Sequence, residues 1–152
     1  MTRTALLVAV LALCAAVVLA ARNHAVTGRP TPVASSTQVS FDPVTKVPHC
    51  ADYLGTGPRP PEGHAALFIQ PPDATTMYFA AELRFDAAGW VAEDVLVGEE
   101  NDVRHFTLHV YAVSASFLRW LELLPPHHLI DKLPTRHLDS MIVVRVHGPD
   151  TC

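Results

Sequence analysis

The chain has 152 residues, 49% of them hydrophobic and 17% charged, with a formal net charge of −4 and a mean hydropathy of +0.22. From Val44 onward eight Lys and Arg stand against fourteen Asp and Glu, which leaves −6 with neutral histidines. That balance, without a basic stripe or an exposed-aromatic repeat, excludes nucleic acid as a partner, and the length suits one domain with a modest core.

Residues 5–21, ALLVAVLALCAAVVLAA, form an unbroken apolar run. Roughly 17 residues of helix reach about 25 Å, close to a hydrocarbon core of about 30 Å. The run therefore reads as a signal anchor or a signal peptide over residues 1–21, with everything after it outside the cytoplasm. Arg3 and the amino terminus precede it and Arg22 and Arg29 follow, so charge alone orients it weakly. The expected localisation is the cell membrane, single-pass, with the C-terminal domain outside. The alternative is secretion after cleavage near Ala20 or Ala21, where Val18-Leu19-Ala20 and Leu19-Ala20-Ala21 offer small-residue sites. Lipidation at Cys14 is disfavoured, because Leu13 stands where a small residue is needed and the apolar run continues past the cysteine.

Residues 22–43 are rich in Pro, Ser, Thr and Ala and read as a linker, leaving 44–152 as an extracytoplasmic β domain. Two cysteines lie beyond the leader, Cys50 and Cys152, and in an oxidising medium their default state is a disulfide. A closed loop of about 100 residues contributes up to about 4.7 kcal/mol in the chain-entropy picture.

Within the domain, short β-type runs alternate with turns. Gly55 to Gly63 is a breaker-rich loop, Leu67-Phe68-Ile69 a short strand, and Pro71-Pro72 its end. The next strand alternates, with Met77, Phe79, Ala81, Leu83 and Phe85 on one face and Tyr78, Glu82 and Arg84 on the other. Asp86-Ala87-Ala88-Gly89 is a hairpin turn with Gly89 at positive φ. The return strand Trp90 to Val97 alternates poorly, as a bulged strand does, and Gly98 to Asp102 forms the next turn. From Arg104 to Val113 the residues Phe106, Leu108, Val110 and Ala112 point inward, and His105, Thr107, His109 and Tyr111 outward. Ser114 is an N-cap for a helix carrying Phe117, Leu118, Leu121 and Leu124, and Pro125-Pro126 stop it. A last strand lies near Asp139 to His147, with Ile142, Val144 and Val146 on one face. The fold class is mostly β, a small antiparallel β-sandwich-like domain with one short helix, preceded by the N-terminal apolar helix.

Cys50 with Gly55, the strand Leu67-Phe68-Ile69, Tyr78-Phe79, Gly89-Trp90, Val97-Gly98, Phe106-Thr107-Leu108 and Leu133-Pro134 occur in an order that resembles an uncharacterised actinobacterial extracytoplasmic β-rich domain. That domain is found behind signal anchors or transmembrane segments. The resemblance spans most of the exported part, implies an extracytoplasmic module, and carries over no catalytic residue.

Motifs for chemistry are sparse. Among nine histidines, His105 and His109 are about 13 Å apart on a strand, too far to share an ion. His127-His128 sit in a proline-flanked loop from which they could reach His137 or His147. Glu99, Glu100 and Asp102 lack the alternating oxygen ligands of a calcium loop. There is no Gly-x-Ser-x-Gly elbow, and Ser114 and Ser116 read as capping residues. Asp52, Glu62, Glu82 and Asp94 remain as carboxylates whose spatial grouping the sequence leaves open. Trp90, Phe79, Phe85 and Phe106 read as inter-sheet core, and Tyr78, Tyr111 and Trp120 as a candidate partner face. No catalytic, cofactor or metal residue is assigned.

The expected function is a membrane-anchored extracytoplasmic binding or structural module without catalytic activity. It would be held in the membrane through residues 5–21 and face a cell-envelope component or a protein partner. The alternative is a secreted small hydrolase with an Asp/Glu/His site. Fractionation with intact-mass measurement tests the leader: the full-length mass is expected in the membrane fraction, whereas a soluble product beginning after Ala20 or Ala21 would replace the anchor by a cleaved signal.

Overall fold

A computed structural model describes residues 38–133, 135–148 and 152. The leader and residues 22–37 of the linker lie outside the described residues. The described chain is mostly β, with ten strands in two sheets and one short helix.

The smaller sheet contains β1 (Ser40–Phe41), β3 (Cys50–Thr56), β7 (Trp90–Leu96) and β6 (Arg84–Phe85), in the order β1-β3-β7-β6. The larger holds β2 (Lys46–Val47), β10 (Arg136–Arg145), β8 (His105–Val113), β4 (His64–Gln70), β5 (Met77–Glu82) and β9 (Leu129–Ile130), in the order β2-β10-β8-β4-β5-β9. All strand pairs are antiparallel except β2 with β10, which is parallel. Pairing begins at β1, inside the stretch read as linker, where Val39 is buried in the core.

β4 explains the layering. Ala65, Leu67 and Ile69 enter a core shared with residues of the small sheet, while Ala66 and Phe68 enter a second cluster beneath the helix. A strand apolar on both faces needs a cover on each. The small sheet supplies one through Tyr53, Trp90, Ala92 and Val95. Helix α1 (Ala115–Glu122) supplies the other through Leu118 and Leu121. Ser114 caps α1, its Oγ accepting from Phe117 N at 3.3 Å, and the helix ends before Pro125-Pro126 as expected.

The hairpin turn also forms as expected: Asp86 N donates to Gly89 O at 3.0 Å, and Asp86 Oδ1 accepts from Ala88 N and Gly89 N. Gly89 has no room for a side chain, since a Cβ there would lie 2.1 Å from Gly55 O.

Three bulges shift the alternation read from sequence. In β7 the pairs Ala51↔Val95 and Tyr53↔Ala92 leave one extra residue opposite Asp52, the bulge expected there. In β5, Leu67↔Ala81 and Phe68↔Phe79 leave Ala80 extra. The predicted single face of β5 is thereby split: Met77 and Phe79 meet the helix side, and Ala81, Leu83 and Phe85 the small sheet. Phe79 thus belongs to the helix-side cluster and not to the inter-sheet core, where Trp90, Phe106 and, at its margin, Phe85 do lie. In β10, Leu138 is extra between His137↔Tyr111 and Asp139↔Val110. The buried face of β10 consists of Leu138, Val143 and Arg145, while Ile142 is exposed. Arg145 fits a core position because its Nη1 donates to the carbonyls of Val97 (3.1 Å) and Glu99 (2.5 Å).

The edges are tied. Phe41 N donates to Asp139 Oδ2 at 2.9 Å across the two sheets. Leu83, buried between β5 and β6, turns the chain from one sheet into the other, its N–H donating to Ala65 O. Cys50 and Cys152 are joined in a disulfide with Cα atoms 5.3 Å apart, closing a separation of 102 residues.

Phe68 is fully buried and packs edge-on against Phe79 and Tyr111. Phe68→Ala is expected to cost about 3–5 kcal/mol in urea unfolding. Ile142→Ala, on the exposed side, should change stability by no more than about 0.5 kcal/mol. Equal effects would contradict this assignment of faces.

Candidate functional site

Two adjoining clefts open where the end of α1 returns to the sheet, and Tyr78 and His127 line both. The first, about 230 Å³, lies between β5 and the connection Leu124 to His128, and besides Tyr78 two carboxylates and two imidazoles line it: Asp94, Glu122, His127 and His128. The second, about 300 Å³, is bordered by Gly98, Glu99, Asp102, Arg104 and Phe106. Ligand pockets commonly run from about 300 to 1,000 Å³, so each cleft suits a small group or one side chain of a larger ligand.

The shared wall is held in place. Tyr78 is buried, its Oη accepts from Gly98 N at 3.0 Å, and it donates to Leu96 O at 3.3 Å. Its ring lies 4.8 Å from that of His127, a residue with φ of 58°. The turn behind it is closed by His128 N donating to Pro125 O. Pro125-Pro126 stop the helix and force this turn back toward β5, which β9 then joins.

Polarity differs between the clefts. In the second, Arg104 clamps Asp102 through Nε and Nη2 at 2.9 and 2.7 Å, and this side-chain pairing holds the Asp102 carboxyl below its ordinary range. In the first, Asp94 sits at the β7 bulge with φ of 52°, its N–H donating to Asp52 Oδ1 at 3.0 Å. Among the described residues, no side-chain hydrogen bond links Asp94, Glu122, His127 and His128 to one another. The cleft therefore gathers acids and imidazoles without a base oriented by an acid.

The other carboxylates named from sequence are dispersed. Glu62 accepts two bonds from Arg136 (3.0 and 2.9 Å), Glu82 pairs with His64 (2.7 Å), and Asp52 caps the β7 bulge. Ser114 and Ser116 lie 3.1 Å apart at the helix start, where Ser114 serves as cap. The sulfurs of Cys50 and Cys152 and an Asp94 carboxylate oxygen lie within 4.8 Å of one another, but the disulfide withholds both thiolates from a metal.

The residues of the predicted partner face part company. Tyr78 is only 4% exposed and belongs to the inter-sheet core, because the Ala80 bulge lets it point there. Tyr111 is half-buried against Phe68, with ring centroids 5.6 Å apart. Trp120 is 44% exposed and stacks on Phe117. Only Tyr78 lines the clefts.

His127 and His128 do not meet His137. Instead, His137 lies beside His109 on the outer face of the large sheet, Nε2 to Nδ1 at 3.3 Å, and His109 Nε2 bonds to Gln70 Oε1 at 2.9 Å. Burial, then the neighbouring His137, lowers the pKa of His109. This grouping was missed in sequence because the two histidines are 28 positions apart. No local pattern signals it: the sequence reading starts the last strand near Asp139, and the outward position of His137 depends on the Leu138 bulge.

A free tyrosine ionises near pH 10. Burial pushes the Tyr78 phenol up to about 12 and raises that of Tyr53 as well. From about pH 10 to 12 the unfolded chain releases protons that the folded chain retains, so stability should fall as pH rises through this window. Among the described residues the Tyr53 hydroxyl has no hydrogen-bond partner, so Tyr53→Phe should flatten that fall without destabilising at pH 7. Tyr78→Phe strips Gly98 N of its acceptor and should cost about 1–3 kcal/mol at pH 7. Urea midpoints across pH check both, and a pH-independent midpoint from 9 to 11.5 would contradict the burial argument. No protein-family model, curated protein or solved structure matches the chain.

Proposed function

We propose that the chain is an extracytoplasmic binding module, anchored through residues 5–21, whose partner or ligand seats at the clefts on either side of Tyr78 and His127. In this reading the two sheets form a sandwich-like body of the kind the actinobacterial resemblance implies, and the module uses neither cofactor nor reaction. A cell-envelope component or a protein is the partner. The observation that carries the proposal is the doubly bonded, buried Tyr78, which fixes one wall common to both clefts. A preorganised wall spares a binding site the entropy of ordering it. The disulfide supports an oxidising compartment. Among the described residues no helix is long and apolar enough to cross a membrane, so anchoring rests on the sequence of residues 5–21.

A second reading, a secreted small hydrolase, is favoured by the grouping of Asp94, Glu122, His127 and His128 around one cleft. One experiment separates the two. In cells producing the full-length chain, a photo-crosslinking residue at position 128 is compared with one at position 142 on the exposed sheet face. A discrete adduct from 128 and none from 142 is the expected result. Equal adducts from both, or none, would overturn cleft binding. Turnover of chromogenic esters, peptides or glycosides that is lost in Asp94→Asn or Glu122→Gln would favour the hydrolase.

A further inference from the structure

We propose that His109 and His137 form a two-imidazole site for a divalent transition-metal ion of the zinc class, on the outer face of the large sheet. The facing atoms, His109 Nδ1 and His137 Nε2, are 3.3 Å apart. Metal–nitrogen bonds of about 2.0–2.1 Å in tetrahedral geometry place two ligand nitrogens about 3.3 Å apart. The spacing already matches an edge of that tetrahedron, so what remains is to turn the rings until both lone pairs meet at one point. His137 is exposed and free to make that turn.

The second support is what holds His109. Its Nε2 lies 2.9 Å from Gln70 Oε1, and Gln70 Nε2 donates to Ala74 O at 2.5 Å. Because the Gln70 nitrogen must face a carbonyl, its oxygen faces His109, which makes Nε2 the protonated nitrogen of that ring. Nδ1 then carries the lone pair and points toward His137. A ligand histidine whose other N–H is fixed by a carbonyl oxygen is the usual outer-shell arrangement of a metal site. His137 presents Nε2 by moving its proton to Nδ1 through solvent, so two neutral imidazoles bind the ion with no net proton release.

The fold also explains why these rings meet. The extra residue Leu138 in β10 changes which face follows it, so that Leu138 takes the core position and His137 emerges outward, in register with Tyr111. The Tyr111 ring, 5.0 Å from that of His137, walls one side. Among the described residues no third histidine, cysteine or carboxylate completes this site, so water fills the remaining positions and the ion stays open to an external donor.

The test is calorimetric titration of Zn²⁺ into the full-length, metal-free protein in detergent, with histidine imidazole ¹⁵N shifts as a second readout. One site per chain is expected, with shifts at His109 Nδ1 and His137 Nε2. His137→Ala alters an exposed side chain and should weaken binding by at least about tenfold while near-UV circular dichroism stays unchanged. Gln70→Leu should weaken it by about 10- to 100-fold through loss of the ring's support. The paired change His127→Ala and His128→Ala removes as many imidazoles and should leave affinity unaltered. The proposal is overturned if wild type binds no Zn²⁺, if His137→Ala binds as wild type does, or if the 127/128 variant abolishes binding. These outcomes are independent of whether the clefts bind a partner.

Discussion

β4 has no polar face, and the rest of the domain is arranged around that constraint. Burying alternate residues on one side only would leave Phe68 or Leu67 in water, and fully burying such a side chain is worth about 1.5–3 kcal/mol. Two covers are required, and neither is local in sequence. The small sheet comes from strands before and after β4, while α1 arrives between β8 and β9. Once α1 lies on the outer face, the chain must return to the edge of β5, and the double proline ends the helix just where the return begins. The clefts lie along that seam. Their position follows from the need to cover Phe68.

Closing a layered core of this kind leaves its edges vulnerable, and three different interactions secure them. A side-chain carboxylate, Asp139, accepts the backbone N–H of Phe41 and spans the two sheets. A guanidinium, Arg145, fills a core position in β10 and satisfies carbonyls at the end of β7 and in the turn that follows. The buried charge would be costly without those acceptors, since unpaired buried charge is among the most destabilising features a fold can carry. The disulfide then fastens the last residue of the chain to the first residue of β3. All three interactions join segments far apart in sequence, which restricts the unfolded chain or specifies sheet pairing more than it adds packing area.

Much of this was legible from residue order. The alternation of β8, the Asp86–Gly89 turn and the Ser114 cap are local physics, written within a few residues each, and they appear where the pattern placed them. The Cys50–Cys152 pairing was legible because only two cysteines lie beyond the apolar run of residues 5–21. What was not legible is parity across a bulge. Reading Met77 through Phe85 as one face is correct for a regular strand, and Ala80 alone breaks it. Arg145 was hidden for a different reason: a charged residue at an alternating position reads as outward, and only the carbonyls of a distant turn make the inward position tolerable. The His109–His137 contact depends on strand pairing over 28 positions, which no local pattern encodes.

The bulges that defeat alternation are also where the chemistry collects. The extra residue in β5 lets Tyr78 face the inter-sheet core, so that its hydroxyl reaches Gly98 and Leu96 while its ring lines both clefts. The β7 bulge holds Asp94 in a left-handed conformation at the rim of the first cleft. The β10 bulge carries His137 out beside His109. A regular strand distributes side chains by parity, and parity serves burial. A bulge releases one position from that rule, at the loss of ladder hydrogen bonding, and so can aim a polar or aromatic group where burial alone would not send it. In a domain whose strands are otherwise committed to covering β4, such positions are the ones left to aim polar and aromatic groups into the clefts and onto the outer face.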